Sequence, residues 1–444
     1  MRSTMVLIDA AAVRDAKSPP GPCESGGESV LVEALPGQAA FGRVLAVGPR
    51  HEVYRHERAA SASRLDLEGR IVVPAFVNAH THLDLTIVGP RPFARAGQSG
   101  AGSAFVDWVQ MVRQERPAEP DGIRAAVSEG ARLSRAGGVA VVGDIAGAAR
   151  GRPSVDAVRA FRETALAGVS CLEFFGIGAR EADARSAVEH AIGELGSEPF
   201  GLSPHAPNTV SVGNYAWAAS LRAGGRAHAL IATHVGETPE EREFVEAGTG
   251  PQRDLLESLD LWDDRILADV GRGAHPVEHV LRALGSAAGL SVFAHVNDAP
   301  DEQIAALARA GVSVAYCPRA SDYFGRHHDF GPHRYLDMLG AGVNVALGTD
   351  SIINLPEGTD RLSTLDEARF LFQRDGFQHG DTGPRQLLEM ITLNGLRALG
   401  LDEGAGRLAV GACPVGLVSA GLGADGSADP IKDLFASEAD LVLL

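Results

Sequence analysis

Lysine is almost missing from this chain. Of 444 residues only Lys17 and Lys432 are lysine, one near each end, and every other basic side chain is arginine. A coding bias toward GC-rich codons accounts for the shortage, but the consequence is chemical. No central lysine is available for a Schiff base, a pyridoxal phosphate anchor or a nucleotide phosphate loop, nor, as a carbamate, to bridge two metals. Cysteine is equally scarce. Cys23, Cys171, Cys317 and Cys413 stand far apart with no CxxC pair, which excludes a disulfide framework and a thiolate zinc site. No run of about 18 apolar residues occurs, so no transmembrane helix is expected. The N-terminal stretch lacks an apolar run behind a basic start, so no signal peptide is expected, and a reduced cytoplasmic protein is the expectation. Positive charge is also in deficit: Lys+Arg is 40 against 57 for Asp+Glu, a net charge of −17. That balance disfavours nucleic acid and anionic membranes as partners and leaves small molecules.

Hydrophobic residues are present in ordinary proportion, at 45%, and their arrangement is informative. The first 70 or so residues hold short β-like runs divided by Pro/Gly-rich turns, and the last 40 or so read the same way. Residues 1–68 and 403–444 are therefore expected to pair as a small β-sandwich domain. Residues 69–402 alternate. Eight short apolar runs (71–80, 138–146, 169–178, 200–207, 230–237, 290–298, 312–320 and 343–351) are separated by Ala/Arg/Leu/Glu-rich stretches such as IRAAVSEGARLSRAG and DEQIAALARAG. Continuous apolar strands alternating with helices that end at glycine predict a parallel sheet covered on both faces. Eight such units fit an α/β fold of the (β/α)8 TIM-barrel type. The first run is not followed by GxGxxG, which removes the main support for a dinucleotide fold.

In a barrel the chemistry sits at the C-terminal ends of the strands. Here those ends carry His80 and His82, His205, His234 with Glu237, His295, and Asp350. A lone histidine at a strand end is usually structural, but five strands ending this way would aim their side chains into one mouth. His80 and His82 are two apart on a strand and share a face. With His234 and Asp350 they make a three-His, one-Asp set suited to one divalent ion, zinc first, with iron accepted by the same donors. Such an ion makes a bound water acidic enough to react at neutral pH. Glu237, three residues beyond His234, is placed to move that water's proton, and His295 to orient it.

These segments resemble the amidohydrolase superfamily, in its metal-dependent deaminase branch. VVPAFVNAHTHLDLT (72–86), THVGET (233–238), FAHVND (293–298) and LGTDS (347–351) look like that branch's metal and catalytic motifs. SPHAPNTVS (203–211), CPRASDYFG (317–325) and FVDWVQMVRQERP (105–117) look like its substrate-facing ones. The similarity runs from about residue 68 to 400. It implies metal ligands His80, His82, His234 and Asp350, Glu237 as proton shuttle, His295 against the attacking hydroxide, and His205 against substrate. It also implies a homo-oligomer. The absence of lysine between positions 17 and 432 agrees with a mononuclear site. Departures fall in the substrate-facing segments, where Asn208 replaces the family's usual tyrosine and Arg319-Ala320-Ser321-Asp322 is altered.

Three features keep two readings each. Trp108, at helical spacing with Phe105, Val109 and Val112, is a core residue or a wall over the substrate. Arg319 binds a substrate carboxylate or phosphate, or pairs with a nearby acid. His327, His328 and His333 form a surface loop or a second metal site. The expected activity is hydrolytic release of ammonia from an amino-substituted heterocycle. Adenosine-type nucleosides come first: S-adenosylhomocysteine, methylthioadenosine, adenosine or aminodeoxyfutalosine. The rivals are guanine, cytosine or pterin deamination, triazine dechlorination or cyclic amide or imidazolone opening on the same barrel, and a metal-binding barrel without catalysis.

Overall fold

A computed structural model of the chain describes residues 4–34, 41–93, 104–223, 230–377, 383–422, 429–436 and 440–444. The N-terminal strands β1 (Thr4–Val13), β2 (Glu28–Ala34), β3 (Phe41–Pro49) and β4 (Ser63–Pro74) form most of one mixed sheet. β1 runs antiparallel to β2 and parallel to β4. Alternate residues face opposite sides of a strand, and both sides are covered here. Ile8, Val30, Val32 and Val72 pack in one cluster, and Leu7, Leu31 and Val53 in another.

The run 71–80 divides in two. β4 ends at Pro74, whose missing N–H cannot extend a ladder, and after Ala75 the chain enters the barrel as β5 (Phe76–Thr81). The remaining barrel strands are β6 (Val139–Ala146), β7 (Ala167–Phe174), β8 (Gly201–Pro204), β9 (Ile231–Val235), β10 (Ser291–His295), β11 (Ser313–Tyr316) and β12 (Asn344–Leu347). Each is parallel to its neighbours in sequence order, β5 through β12. This is the expected eight-stranded (β/α)8 barrel. Helices cover it with apolar stripes. The helix Pro120–Ala136, for example, buries Ile123, Val127 and Ala131 at i, i+4 and i+8 spacing, with Leu133 beside them. The chain then returns to the first sheet through β13 (Leu417–Gly421), antiparallel to β4, and β14 (Leu441–Leu443), antiparallel to β13. The unit expected from both chain ends as a β-sandwich is this single six-stranded sheet, whose two faces are covered by separate apolar clusters. Among the described residues no helix is long and apolar enough to cross a membrane.

The seam between β12 and β5 closes at its C-terminal edge. The Asp350 amide donates to the His80 carbonyl (3.1 Å), and the His82 amide donates to the Asp350 carbonyl (2.8 Å). The Asn78 amide group donates to Thr349 Oγ1 (2.8 Å), and the Thr349 amide donates back to Asn78 Oδ1 (3.1 Å). Gly348 permits this approach, since a Cβ there would meet the His80 carbonyl oxygen at 2.7 Å. Barrel closure and placement of the candidate ligands are therefore the same set of bonds.

Candidate metal centre and active site

The structure brings His80, His82, His234, His295 and Asp350 together at the C-terminal mouth, all buried. The rings of His80, His82 and His234 stand 4.9 to 5.3 Å apart. His82 Nε2 lies 3.2 Å from His234 Nε2. Asp350 Oδ1 lies 3.5 Å from His80 Nε2 and 3.6 Å from His82 Nε2. Its other oxygen accepts a hydrogen bond from Asn354 Nδ2 (2.6 Å), which leaves Oδ1 turned inward. His234 Nδ1 donates to the carbonyl of His205 (2.9 Å), so the lone pair sits on Nε2, facing the cluster.

Buried polar atoms normally have partners. His80 Nε2 and His295 Nε2 are buried with none. Ligand atoms from His80, His234, His295 and Asp350 all lie within 4.8 Å of one another, and His82 joins them through the contacts above. Neutral imidazole nitrogens plus one carboxylate, converging and otherwise unsatisfied, fit a single divalent ion such as zinc. The backbone is strained at the same place: His295 (φ 69°), Val296 (φ 51°) and Asp350 (φ 57°) are left-handed although none is glycine.

Glu237 Oε1 stands 3.9 Å from His295 Nε2. Burial pushes its carboxyl up to about 7, against the opposing pull of His234. Its position is set by the turn beneath it. Glu241 accepts from the Gly236 and Glu237 amides, each at 2.8 Å, while its own amide donates to Thr238 Oγ1 (2.9 Å). Thr238 caps a helix that opens with Pro239, so TPEE is a capping box whose glutamate also clamps the Glu237 turn. Replacing Glu241 by alanine strands two buried amides. It should lower stability by about 1–3 kcal/mol and cut turnover while leaving metal content unchanged, as read by thermal unfolding and metal analysis. Unchanged stability and turnover would remove the clamp.

Beside the histidines lies a buried ionic group. Arg116 Nε is 3.1 Å from Asp84 Oδ2, and Arg116 Nη1 is 3.0 Å from Glu173 Oε2. Burial raises Asp84 to about 6 and Asp144 to about 7. Glu173 is buried as well, but Arg116 and then His205 outweigh that cost and hold it at about 2. Glu173, His205 and His234 also bring ligand atoms within 4.8 Å of one another. A cation there would sit against the Arg116 guanidinium and compete for His234, so this trio reads as a polar wall of the cavity.

These groups open into a cavity of about 740 Å³, lined by His82, Trp108, Phe175, His205 and Glu237 among others. Trp108 lines it from the helix Ala104–Glu115, half-buried, with its ring edge-on to Phe324 at 5.0 Å. Arg319 is not brought to the cavity. Its amide and Nε donate to Glu367 at 2.9 and 2.6 Å, and Glu367 is buried. The ion-pair reading describes its place, not the substrate-contact one. His327 and His328 are exposed, whereas His333 turns inward onto Tyr316. Arg116, Asn78 and Glu241 were not singled out in sequence. Arg116 continues the face of Phe105, Trp108 and Val112, and TPEE is a visible cap signal. Nothing local marks Asn78.

A parallel barrel with one such histidine–aspartate mouth defines the class of metal-assisted hydrolases. The chain belongs to the amidohydrolase family, which it matches over residues 71–417. Over 375 residues it is 30% identical to the aminodeoxyfutalosine deaminase of Deinococcus radiodurans, covering 80% of this chain and 79% of that one. In fold it is similar to Helicobacter pylori aminofutalosine deaminase in complex with methylthio-coformycin. That match has a TM-score of 0.69 and 20% identity, covering 98% of this chain and 97% of that one. It is also similar to atrazine chlorohydrolase from Arthrobacter aurescens complexed with zinc, again with a TM-score of 0.69 and 20% identity, over 97% and 91% of the two chains.

Proposed function

We propose that this chain is a metal-dependent hydrolase of C–N bonds that deaminates an adenosine-type nucleoside. The observation that carries the reading is Glu237: a half-buried carboxyl pushed up to about 7, 3.9 Å from His295, at the edge of a histidine–aspartate cluster. His80, His82, His234 and Asp350 would hold one divalent ion, zinc first and iron second. When bound, that ion supplies Lewis acidity, which makes water nucleophilic at neutral pH. Glu237 takes a proton from the water as it attacks the amino-bearing ring carbon, and delivers it to the departing nitrogen. The C–N bond breaks and ammonia leaves; the second water hydrogen ends on the adjacent ring nitrogen, so a carbonyl remains. His295 holds the attacking oxygen in line. His205, beside Glu173 and Arg116, faces the heterocycle.

The substrates proposed are S-adenosylhomocysteine, methylthioadenosine, adenosine and aminodeoxyfutalosine. The relative in Deinococcus radiodurans supports the last, and the cavity volume, toward the upper part of the usual ligand-site range of roughly 300–1,000 Å³, supports the substituted nucleosides over the bare base. We also propose a cytoplasmic homo-oligomer without nucleic-acid or membrane partners, divided into a terminal β-unit (1–68 plus 403–444) and a barrel (69–402), with β4 running through the boundary to Pro74 before the barrel begins. A product assay separates the readings. The zinc-loaded protein should release ammonia from one of these nucleosides. Chloride from a triazine, or a ring-opened acid from a cyclic amide, would transfer the barrel to another hydrolysis.

A further inference from the structure

We propose that His333 is a positioning residue, which holds the His295 backbone in its left-handed conformation and so aims the His295 ring at the reacting centre. The chain turns sharply where β10 ends: His295 (φ 69°) and Val296 (φ 51°) are consecutive left-handed residues. For a β-branched residue such as valine this conformation is a genuine outlier, and it persists only when neighbours over-determine it.

One side of the turn is knitted to the Glu237 loop. The Val296 amide donates to the Val235 carbonyl (3.0 Å), and Asn297 Nδ2 donates to the Glu237 carbonyl (3.2 Å). The other side meets His333, whose Nε2 donates to the His295 carbonyl at 2.9 Å. His333 is fixed in turn. Its ring stacks on Tyr316, the last residue of β11, with centroids 3.6 Å apart and planes within 15°. The Tyr316 hydroxyl accepts from Arg374 Nη1 (3.1 Å). A bond from the segment after β11 thus reaches behind β10 and fixes the residue whose free Nε2 faces Glu237. A ring rotated by a freed carbonyl would lose that aim with the four proposed ligands, His80, His82, His234 and Asp350, left in place.

The kinetic part of the test rests on the deaminase reading; the structural part does not. His333→Phe keeps a ring on Tyr316 and deletes the donor, and His333→Gln restores a donor of similar reach without the stack. In a crystal structure of His333→Phe, His295 should leave the left-handed region, and in His333→Gln it should stay. With metal content equal to wild type, kcat of the Phe variant should fall by about 10- to 100-fold with KM little changed, the scale expected of a displaced catalytic group. The Gln variant should regain most of the loss. A Phe variant with His295 φ unchanged overturns the proposal. So does a kcat loss that Gln fails to rescue, or one that tracks lost metal. A wild-type protein that releases no ammonia sinks the deaminase reading alone, and the His295 conformation then decides for or against His333.

Discussion

Glu237→Gln is expected to fold, to retain its metal and to lose turnover by about 10²- to 10⁴-fold, the usual contribution of a positioned proton-transfer group. The substitution is nearly isosteric and keeps a polar atom near His295. Glu237 stands 3.9 Å from His295 and is not one of the four proposed ligands, so the cluster has no reason to disperse. What disappears is the ability to accept a proton from water and return it to the leaving nitrogen. Burial pushes this carboxyl up, toward the proton-carrying form, and its place beside His295 puts it within reach of the water and the leaving nitrogen. Steady-state kinetics with metal analysis on the same sample checks the prediction. Turnover within a few-fold of wild type, at equal metal content, would reassign the proton shuttle.

Asp350→Asn should act at the other end of the chemistry. Asp350 contributes the one carboxylate beside the three imidazoles proposed to hold the ion, and a divalent ion surrounded only by neutral donors loses its nearest compensating charge. Asparagine tolerates the left-handed φ that this position requires, and the backbone bonds that close the barrel seam through residue 350 survive the exchange. The fold should therefore persist while metal affinity falls by at least about 100-fold, beyond the roughly 10–100-fold typical of outer-sphere partners, and activity falls with it. Thermal unfolding offers a second readout. Zinc at about 100 times its Kd should stabilise the wild type by about 2.7 kcal/mol and should barely move the variant. A variant that retains zinc through dialysis and shows the wild-type thermal shift would exclude Asp350 as a ligand.

Much of this architecture is legible from local pattern. Apolar runs of strand length ending in histidine or aspartate predict both the barrel and the contents of its mouth, because strand direction alone decides which end of each run faces the site. What escapes is long-range. Asn78 and Thr349 lock the seam across 271 residues of chain, and no neighbouring residue signals the partnership. Pro74 breaks a run that hydrophobicity alone reads as continuous. Arg319 follows a strand as the ligands do, but pairs with Glu367, 48 residues away, and does not line the cavity. Charge pairing of this kind depends on which acid the tertiary fold delivers. The lysine shortage retains its meaning: Lys17 pairs with Glu389 at the surface and Lys432 lies on the terminal helix Pro430–Ala436, both outside the barrel mouth.

The most direct test is a zinc titration of metal-free protein, followed by ammonia release from methylthioadenosine, S-adenosylhomocysteine, adenosine and aminodeoxyfutalosine. Activity on at least one of these nucleosides should rise linearly with zinc and saturate at one ion per chain. Saturation at two ions, ammonia release independent of zinc, or no ammonia from any of the four at full loading would contradict a mononuclear metal-dependent nucleoside deaminase.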